Sequence, residues 1–337
     1  VGAEPFWLKC HVARDTIRLT HLHAMSFFHL ASWCLLATAT GRLGHVKRLE
    51  RAGSWVGACP EGEVPWVGRC EAFSDAQQRA EKFLRENMPP WDVENLGTLE
   101  LGLLPSSVQL ALKARQQFPW AAAVPEELWM DYVLPYASVN ENRNDWRQMF
   151  WEKLPNLVFN STFKATGLEE VADIVNKHMW SLFRPDLEIK FKSQQTPLIY
   201  DPMSTIAFGF ASCTGLSIMY VDALRTVGVP ARVVGTPAWH GAPKDGNHNW
   251  VEIWLGAGGD ESDWVLQEAQ PAGPGEKLRQ PCDKWFCNPS HFDGKTLSYA
   301  AKFNKSGVVY PMAWDLANKH VPGVDRTAFY NEVCGKC

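Results

Sequence analysis

The sequence lacks strong net charge and any dense run of basic residues. Its 33 lysines and arginines nearly balance 37 aspartates and glutamates, which leaves a formal net charge of -4 over 337 residues. Nucleic acids and anionic membrane surfaces attract clustered positive charge, so neither is expected as a partner. Internal repeats and low-complexity segments are also missing. The hydrophobic share of 46% instead predicts a globular chain of one large domain or two ordinary ones.

A hydrophobic run long enough to cross a bilayer is absent as well. The apolar stretch Met25–Gly41 is shorter than a transmembrane helix and ends in the small-residue pattern Ala37-Thr38-Ala39. This pattern is typical of a secretory leader. We therefore expect a signal segment over residues 25–40, within a leader or upstream extension at 1–41. An ordinary N-terminal helix is the alternative.

Cysteine, by contrast, is frequent, with nine residues. Three pairs lie close in sequence and can each close a small disulfide loop: Cys59 with Cys70, Cys282 with Cys287, and Cys334 with Cys337. This usage favours secretion or another oxidising compartment, and the odd count leaves at least one thiol unpaired. The C-terminal Cys-x-x-Cys has no second ligand pair at the spacing of a zinc site, and it is interpreted as a terminal disulfide or as two free thiols. Cys282, Cys287 and His291 likewise lack a fourth ligand, so we predict no bound metal or cofactor.

Hydrophobic periodicity changes along the chain and predicts an α+β fold. Residues 42–71 show no clear period and are interpreted as a connector, whereas residues 72–185 carry helical patterns. Residues 186–330 show strand patterns around one helix, and residues 331–337 form a tail. These patterns predict a helical N-terminal region before an antiparallel α+β core, in which strands surround one helix.

Capping boxes and alternating stretches mark individual elements. Ser74-x-x-Gln77 and Thr166-x-x-Glu169 predict the starts of two helices. Strands are predicted from the sequences LEIKFK, ARVVGTP, HNWVEIWL and DWVLQEA. A helix over residues 213–227 separates the first of these strands from the others.

Cys213 lies where that long apolar helix is predicted to begin. Ser212 is a suitable N-cap, which places Cys213 in the first turn, beside free backbone N–H groups and the positive end of the helix dipole. That position favours the thiolate, the nucleophilic form of cysteine. Gly209 and Gly215 flank it and leave the approach uncrowded. The alternative is that Cys213 is a small buried hydrophobic residue.

A base and an acid follow on the strands after this helix. His248 stands at the entrance of the strand HNWVEIWL, where an imidazole can face a neighbouring helix end. Glu268 shares a strand face with Trp264 and Leu266 and is the first acid placed to orient that imidazole. His240 is a competing base, but its Pro- and Gly-rich surroundings predict a loop. The order cysteine, histidine, acid is that of a thiol acyl-transfer site.

The stretch SCTGLSIMYVDALRTVGVPARVVGTP, followed by GNHNWVEIW and a Trp-led strand, resembles the transglutaminase-like superfamily, which has a papain-like thiol-enzyme fold. Further segments such as FLRENMPPWD and VLPYASVNENRNDWR resemble a bacterial-type subgroup, so the similarity extends over about residues 72–330. The resemblance implies that Cys213 is the nucleophile and His248 its base. The sequence departs from the family at the third position, where Glu268 stands in place of the usual Asp.

Supporting residues are predicted around these three. Ser212 supports the nucleophile as its cap, and Gln270 is a polar substitute for Glu268 as the group that orients the base. Gln195 is expected to bind the oxyanion together with the backbone N–H of Cys213, by analogy with the glutamine of papain-like enzymes. A solvated loop glutamine is the alternative for Gln195.

Other residues are weaker candidates. Trp239 and Trp250 are predicted to line a substrate groove, with packing in the core as the alternative. The acidic segment 258–263 lacks the spacing of a calcium loop and is interpreted as a solvated turn. Three residues of the stretch NENRNDWR are interpreted as structural rather than as groove walls: Glu141, Trp146 and Arg147.

The predicted function is thiol-dependent acyl transfer or hydrolysis at a peptide or glutamine carboxamide carbonyl, through a thioester on Cys213. The partners are then a protein or peptide substrate and, for a transferase, a primary amine acceptor. Whether water, an amine or another peptide resolves the thioester is left open. The alternative is a noncatalytic, secreted binding or structural protein that retains the same scaffold.

Overall fold

The structure, a computed structural model, describes residues 59–337 apart from seven short gaps: 67, 161–162, 195–200, 257–260, 276, 307 and 310–318. The predicted leader at 1–41, its signal segment at 25–40, most of the connector at 42–71, and Gln195 therefore lie outside the described residues. Within the described part of the chain, no helix combines the length and the apolar content needed to cross a membrane.

The helical part follows a short hairpin. Strands β1 (Glu63–Trp66) and β2 (Arg69–Ala72) pair antiparallel, and the predicted disulfide between Cys59 and Cys70 closes this hairpin. The α-helices of this part are α1 (Phe73–Asn87), α2 (Pro90–Glu94), α3 (Leu96–Glu100), α4 (Leu103–Gln117), α5 (Pro119–Ala122), α6 (Glu126–Tyr132), α7 (Trp146–Trp151) and α8 (Leu168–Leu182).

Helices α1, α4 and α6 pack their apolar faces together with the hairpin. The rings of Trp66 and Trp129 meet edge to face with centroids 5.1 Å apart, and the guanidinium of the buried Arg115 lies 4.6 Å from the centroid of Trp66. Arg115 donates to the carbonyl oxygens of Pro65 and Val124, which satisfies two of its donors. The hairpin is thereby fastened to the helices by both apolar and polar contacts.

Two helix starts differ from the predicted capping boxes. Helix α1 begins at Phe73, so Ala72 and not Ser74 occupies the cap position. Helix α8 follows Gly167, and both the backbone N–H and the hydroxyl of Thr166 donate to Glu170. The predicted caps are wrong because a capping bond contributes only about 1 kcal/mol, whereas the packing of an apolar face decides where a helix starts.

The mixed part contains strands β3 (Lys190–Phe191), β4 (Phe210–Ala211), β5 (Ala231–Thr236), β6 (His248–Trp254), β7 (Trp264–Gln267), β8 (Tyr299–Ala301), β9 (Val308–Val309) and β10 (Pro322–Asp325), with helices α9 (Pro202–Phe208), α10 (Cys213–Thr226) and α11 (Thr327–Val333). The main sheet has the order β7-β6-β5-β8-β10-β9, and all neighbours in it are antiparallel. The α+β architecture is confirmed. The strand predicted from LEIKFK is instead β3, which pairs in parallel with β4 outside this sheet.

Helix α10 lies inside the molecule. Every residue of α10 after Cys213 is buried, one side of the helix packs on β5 and β6, and other sides meet α7, α8 and α9. Gly228 follows the helix with φ of +79°, where an added Cβ would lie 2.3 Å from the Cβ of Ala121. Because each large apolar side chain contributes roughly 2 kcal/mol on burial, displacement of α10 is costly. The position of Cys213 is thereby fixed.

The four C-terminal cysteines pair crosswise, so the predicted disulfide between Cys282 and Cys287 is wrong, and Cys334 and Cys337 are neither bonded to each other nor free. Cys282 is bonded to Cys337 with an S–S distance of 2.04 Å, and Cys287 is bonded to Cys334. The physical reason is that α11 and the turn after it return to the loop that holds the first two cysteines, with Cα–Cα distances of 5.2 and 4.6 Å across the bridges. Sequence proximity did not decide the pairing.

Candidate active site

The candidate nucleophile is the first residue of α10. Ser212 occupies the N-cap in extended backbone geometry, with φ of -71° and ψ of 174°, and Gly209 ends α9 with φ of +75°. Cys213 is partly exposed although the rest of α10 is buried, and it is the free cysteine of the described residues. A thiol at this position faces the unpaired N–H groups of the first helical turn.

His248 meets Cys213 from the first residue of β6. Register places His248 opposite Thr236, at the end of β5 where α10 also begins its packing. The buried imidazole forms a hydrogen bond with the Cys213 thiol. Burial by itself raises the pKa of Cys213, but the hydrogen bond and charge of His248 and the backbone N–H of Asn249 outweigh it and lower that pKa below its usual range. The thiolate is therefore favoured.

Glu268 completes the contact on the opposite side of the imidazole. His248 Nε2 lies 2.8 Å from Glu268 Oε2, and both side chains are almost fully buried. Burial lowers the pKa of His248, whereas the charge of Glu268 and the hydrogen bonds to Cys213 and Glu268 raise it to about 10. Since Nε2–H is directed to the carboxylate, Nδ1 is left for the sulfur. The arrangement favours a thiolate–imidazolium pair over a neutral thiol and imidazole.

Asn249 joins the start of α10 to the strand that carries His248. Its Oδ1 accepts from Thr214 Oγ1 over 2.8 Å, and its Nδ2 donates to the carbonyl oxygen of Val234 over 3.2 Å. This arrangement needs a glycine at position 235, where an added Cβ would lie 2.2 Å from Asn249 Nδ2. Sequence reasoning missed this residue. The available signal was its position directly after His248 in the sequence. Because successive strand residues face opposite sides of a sheet, Asn249 points to the side of β6 opposite to that of the imidazole.

Trp285 was missed as well, and it contacts both His248 and Glu268. Its Nε1 donates to Glu268 Oε2 over 2.8 Å, and its ring lies edge-on to the imidazole with centroids 4.7 Å apart. Gly273 leaves room for the indole, since an added Cβ there would lie 2.5 Å from Trp285 Cδ1. The signal in the sequence was an aromatic residue between Cys282 and Cys287, two cysteines that bring a loop to a defined place.

The residues proposed as supports lie in different surroundings. The backbone N–H of Gln270 donates to Asn176 Oδ1 over 3.0 Å, and Gln270 lines a polar cavity of about 240 Å³ together with Gln267. Glu268 and not Gln270 contacts the imidazole. Gln195, the predicted oxyanion donor, lies outside the described residues.

The two groove candidates are not open groove walls. Trp250 is fully buried and donates to the Tyr330 hydroxyl over 2.7 Å, so its predicted groove role is wrong and it belongs to the core. Trp239 is 6% exposed and packs on His248 with ring centroids 6.3 Å apart. Trp250 faces inward because period-two alternation along β6 turns it toward the packed side of the sheet, whereas Trp239 lies in a short turn, Trp239–Gly241, between β5 and β6.

Three remaining candidates make other contacts: His240, Arg147 and Glu141. His240 is held with φ of +56°, and its Nδ1 lies 3.3 Å from Asp293 Oδ2. Arg147 is buried and donates to backbone carbonyl oxygens, and Glu141 accepts from the backbone N–H groups of Ser138 and Val139. The structural interpretation of the NENRNDWR stretch therefore agrees with these contacts. Residues 258–260 of the acidic segment 258–263 lie outside the described residues, and Glu261–Asp263 form a short 3-10 helix.

Comparison with known protein families gives a match over the segment that contains the candidate site. Residues 161–269 match the family model described as the transglutaminase-like superfamily. No curated protein matches the sequence significantly. The chain is similar in part to a proposed cysteine protease from Cytophaga hutchinsonii, with 14% identity and a TM-score of 0.29 over 41% of this chain and 42% of that one. It is similar to the transglutaminase of red sea bream with 12% identity and a TM-score of 0.34, over 61% of this chain and 44% of that one. It is also similar to Legionella pneumophila LapG, treated with EGTA, with 11% identity and a TM-score of 0.25, over 77% of this chain and 96% of that one.

The chain spans less than half the length of the first two of these structures, at 42% and 44%. The family match includes α8, α10, β5, β6 and β7, and it ends one residue after Glu268. Cys213, His248 and Glu268 thus all lie within the matched segment. Residues 161–269 form a domain of the transglutaminase-like superfamily.

Proposed function

We propose that the chain is a thiol enzyme that transfers or hydrolyses an acyl group at a peptide or glutamine carboxamide carbonyl, with residues 186–330 as its catalytic core. Cys213 is the nucleophile, His248 the general base and acid, and Glu268 the group that orients the imidazole. The observation that carries this proposal is the hydrogen-bonded order of these three side chains at the first turn of a buried helix.

The first half of the reaction forms a thioester. The Cys213 thiolate attacks the carbonyl carbon, and negative charge develops on the carbonyl oxygen beside the backbone N–H of Cys213. The His248 imidazolium then gives its proton to the leaving nitrogen as the carbon–nitrogen bond breaks. Ammonia leaves from a glutamine side chain, or an amine leaves from a peptide, and the acyl group stays on the sulfur.

The second half returns the enzyme to its starting state. Neutral His248 takes a proton from water or from a primary amine, which attacks the thioester carbon and releases the Cys213 sulfur. Glu268 holds the imidazole throughout and stabilises its charged form. The acceptor that reaches the thioester decides between hydrolysis and transfer.

The substrate we propose is a protein or peptide, with a primary amine as the acceptor if transfer occurs. The superfamily acts on protein substrates, which supports this choice. The three disulfides indicate an oxidising compartment, and secretion is the location we propose. A binding module would not need a base at 2.8 Å from an orienting acid beside a free thiol, so the geometry favours the enzyme.

Alkylation tests the activated thiol directly. Iodoacetamide at about pH 6 is expected to modify Cys213 faster than an ordinary thiol, because its pKa is lowered. Peptide mass spectrometry assigns the modified residue, and the urea-unfolded chain supplies the reference rate for the same thiol. Slow labelling of Cys213 at the unfolded rate would contradict the proposal and favour a noncatalytic binding protein.

Mass spectrometry of the reaction products tests the chemistry. The purified chain is incubated with glutamine-containing peptides and a primary amine, with Cys213→Ala as the control. Amine incorporation with loss of ammonia identifies a transferase, a gain of about 1 Da without the amine identifies an amidase, and chain cleavage identifies a peptidase. Equal products from the native chain and the alanine variant would rule out catalysis by Cys213.

A further inference from the structure

The loop over residues 277–292 places an indole against the acid of the candidate site. Trp285 Nε1 donates to Glu268 Oε2 over 2.8 Å, and the same oxygen lies 2.8 Å from His248 Nε2. The other carboxylate oxygen, Glu268 Oε1, is buried and has no hydrogen-bond partner among the described residues. The orientation of the carboxylate therefore depends on two contacts to one oxygen. Trp285 supplies the contact that is independent of the imidazole.

Rings from this loop also cover the imidazole. The Trp285 ring lies edge-on to His248 at 4.7 Å, and the buried Phe286 ring lies 5.1 Å away. Trp285 itself is 39% exposed, so it stands between the His248–Glu268 pair and solvent. Exclusion of water strengthens the hydrogen bonds of that pair. A displaced loop would both remove a donor and admit water.

Cross-links hold this loop, which consists mostly of turns and bends. Cys282 precedes Trp285 by three residues, and Cys287 follows it by two. Their disulfides lead to Cys337 and Cys334. Each bridge spans a long stretch of sequence, with separations of 55 and 47 residues, so each removes considerable conformational freedom from the unfolded chain. Disulfides therefore hold the loop on both sides of Trp285.

The C-terminal helix α11, which directly precedes the bridged Cys334 and Cys337, is anchored in the core. The Tyr330 hydroxyl in α11 accepts from Trp250 Nε1 over 2.7 Å and donates to Glu252 Oε1 over 2.8 Å. Trp250 and Glu252 belong to β6, the strand that begins with His248. The covalent bridges thus connect the Trp285 loop to a helix that is bound to the strand of the candidate base. This connection sets the distance between the indole and the imidazole.

We propose that Trp285 is a positioning residue for the His248–Glu268 pair and that the two C-terminal disulfides hold it in place. The inference rests on the proposed function, since it assigns a role in that reaction. Reduction of each bridge takes two electrons and two protons from a dithiol, which becomes a disulfide, and leaves two cysteine thiols. With both bridges open, Glu268 loses its second donor and thioester formation slows.

The substitution Trp285→Phe tests the positioning role, because it retains an aromatic ring and removes the N–H donor. We expect kcat to fall roughly tenfold with little change in KM, the effect of losing one hydrogen bond to a charged group. The pH at which Cys213 alkylation is half-maximal should rise, since a less well oriented imidazole stabilises the thiolate less. A merely structural role for Trp285 would leave that pH profile unchanged.

The disulfides are tested by replacing Cys282, Cys287, Cys334 and Cys337 with serine in one variant. This variant should lose as much kcat as Trp285→Phe, and adding that change to it should have little further effect, because both act through the same contact. Replacing Cys59 and Cys70 with serine is the matched control, which removes the disulfide of the N-terminal hairpin and should retain native kcat. Near-UV circular dichroism checks folding, and Trp285→Phe decides alone if the four-serine variant does not fold.

The native chain separates the failure of this inference from the failure of the proposed function. Rapid alkylation of Cys213 that is unaffected in rate and pH profile by Trp285→Phe overturns the positioning role and leaves the enzyme proposal standing. Alkylation of native Cys213 at the rate of an unfolded thiol overturns both. A loss in the hairpin control equal to that in the four-serine variant also overturns the inference, because general destabilisation would then explain it.

Discussion

Cys213 and Glu268 contact His248 from two regions that are held in place by different interactions. Cys213 begins α10, whose other residues are buried, so hydrophobic packing fixes the sulfur. Glu268 follows the edge strand β7 and is contacted by Trp285, from a loop tied by two disulfides. The nucleophile thus lies on a helix held by core packing, whereas the acid is contacted from a cross-linked loop as well as by His248 and Asn176. A change that disturbs one region need not disturb the other.

Removal of His248 breaks the site for both regions and should have the largest effect. His248→Ala leaves no group to accept or return the proton, so kcat for thioester formation should fall by about 10³- to 10⁴-fold. Single-turnover kinetics with a glutamine peptide measure the loss. His240→Ala is the matched control, because that imidazole lies beside Asp293, and it should retain the native rate. Equal losses in both variants would contradict the assignment of the base.

Removal of the charge of Glu268 perturbs the acid region alone. Glu268→Gln keeps a side chain of similar size but removes the attraction that raises the pKa of His248 to about 10. We expect that pKa to fall and kcat to drop by roughly 10- to 100-fold, as one charged hydrogen bond is lost. NMR titration of the histidine and steady-state kinetics measure these changes. Gln270→Ala serves as the control, and a loss there as large as in Glu268→Gln would assign the orienting role to Gln270.

A methyl group at Gly235 perturbs the cysteine region alone. In Gly235→Ala the new Cβ would lie 2.2 Å from Asn249 Nδ2, so the asparagine must move and its bond with Thr214 weakens. We expect the free energy of unfolding to fall by about 1–3 kcal/mol, the usual cost of overpacking. Chemical denaturation measures this loss, and Gly97→Ala is the control because its Cβ would meet open space. Native stability in Gly235→Ala would contradict the close contact.

The pH dependence of the free energy of unfolding tests the contact between the two regions, and it is the smallest of the expected effects. The unfolded chain titrates histidine near 6.5 and cysteine near 9.0, whereas the folded pair keeps a single proton between the lowered pKa of Cys213 and about 10 for His248. Just below pH 9.0 the folded and the unfolded form each hold one proton, so stability does not change there. Above 9.0 the unfolded chain has released both protons, whereas the folded pair keeps one up to about 10, so stability decreases between pH 9.0 and about 10.

Denaturation of the native chain and of Cys213→Ala at pH 5.5 to 10 measures this contribution. Each unit of pKa difference is equivalent to about 1.4 kcal/mol. In the alanine variant stability should decrease from pH 6.5 upward, because the folded His248 keeps the proton that the unfolded histidine releases and no cysteine titration offsets this. The same course of stability with pH in both proteins would show that the thiolate–imidazolium pair does not form.

The helix, the sheet and the order of the three candidate side chains follow from local patterns. Periodicity predicted α10 and strands β5 to β7, because each pattern is set by residues that are close in sequence. The capping prediction for Ser74 failed, since a weak local bond competes with the packing of a whole helix. Trp250 was misplaced because the sequence shows that a residue is aromatic, while its burial depends on the opposite layer.

No local sequence pattern predicted the contact of Glu268 with Trp285 or the pairing of the C-terminal cysteines. Trp285 lies 17 residues from the acid it contacts, and the bridged cysteines are separated by 55 and 47 residues. Several pairings of four cysteines are possible, and each is compatible with the sequence. The return of α11 to the loop selected one of them.

By itself, the sequence determined that Cys213 begins the apolar helix α10, that His248 begins strand β6, and that Glu268 comes at the end of strand β7. Those features arise from hydrogen bonding and side-chain periodicity over a few residues. Only the tertiary structure decided that Asn249 and Gly235 interlock beside the sulfur and that a cross-linked loop brings Trp285 to Glu268. These contacts join distant segments, and their geometry is defined once the layers pack against one another.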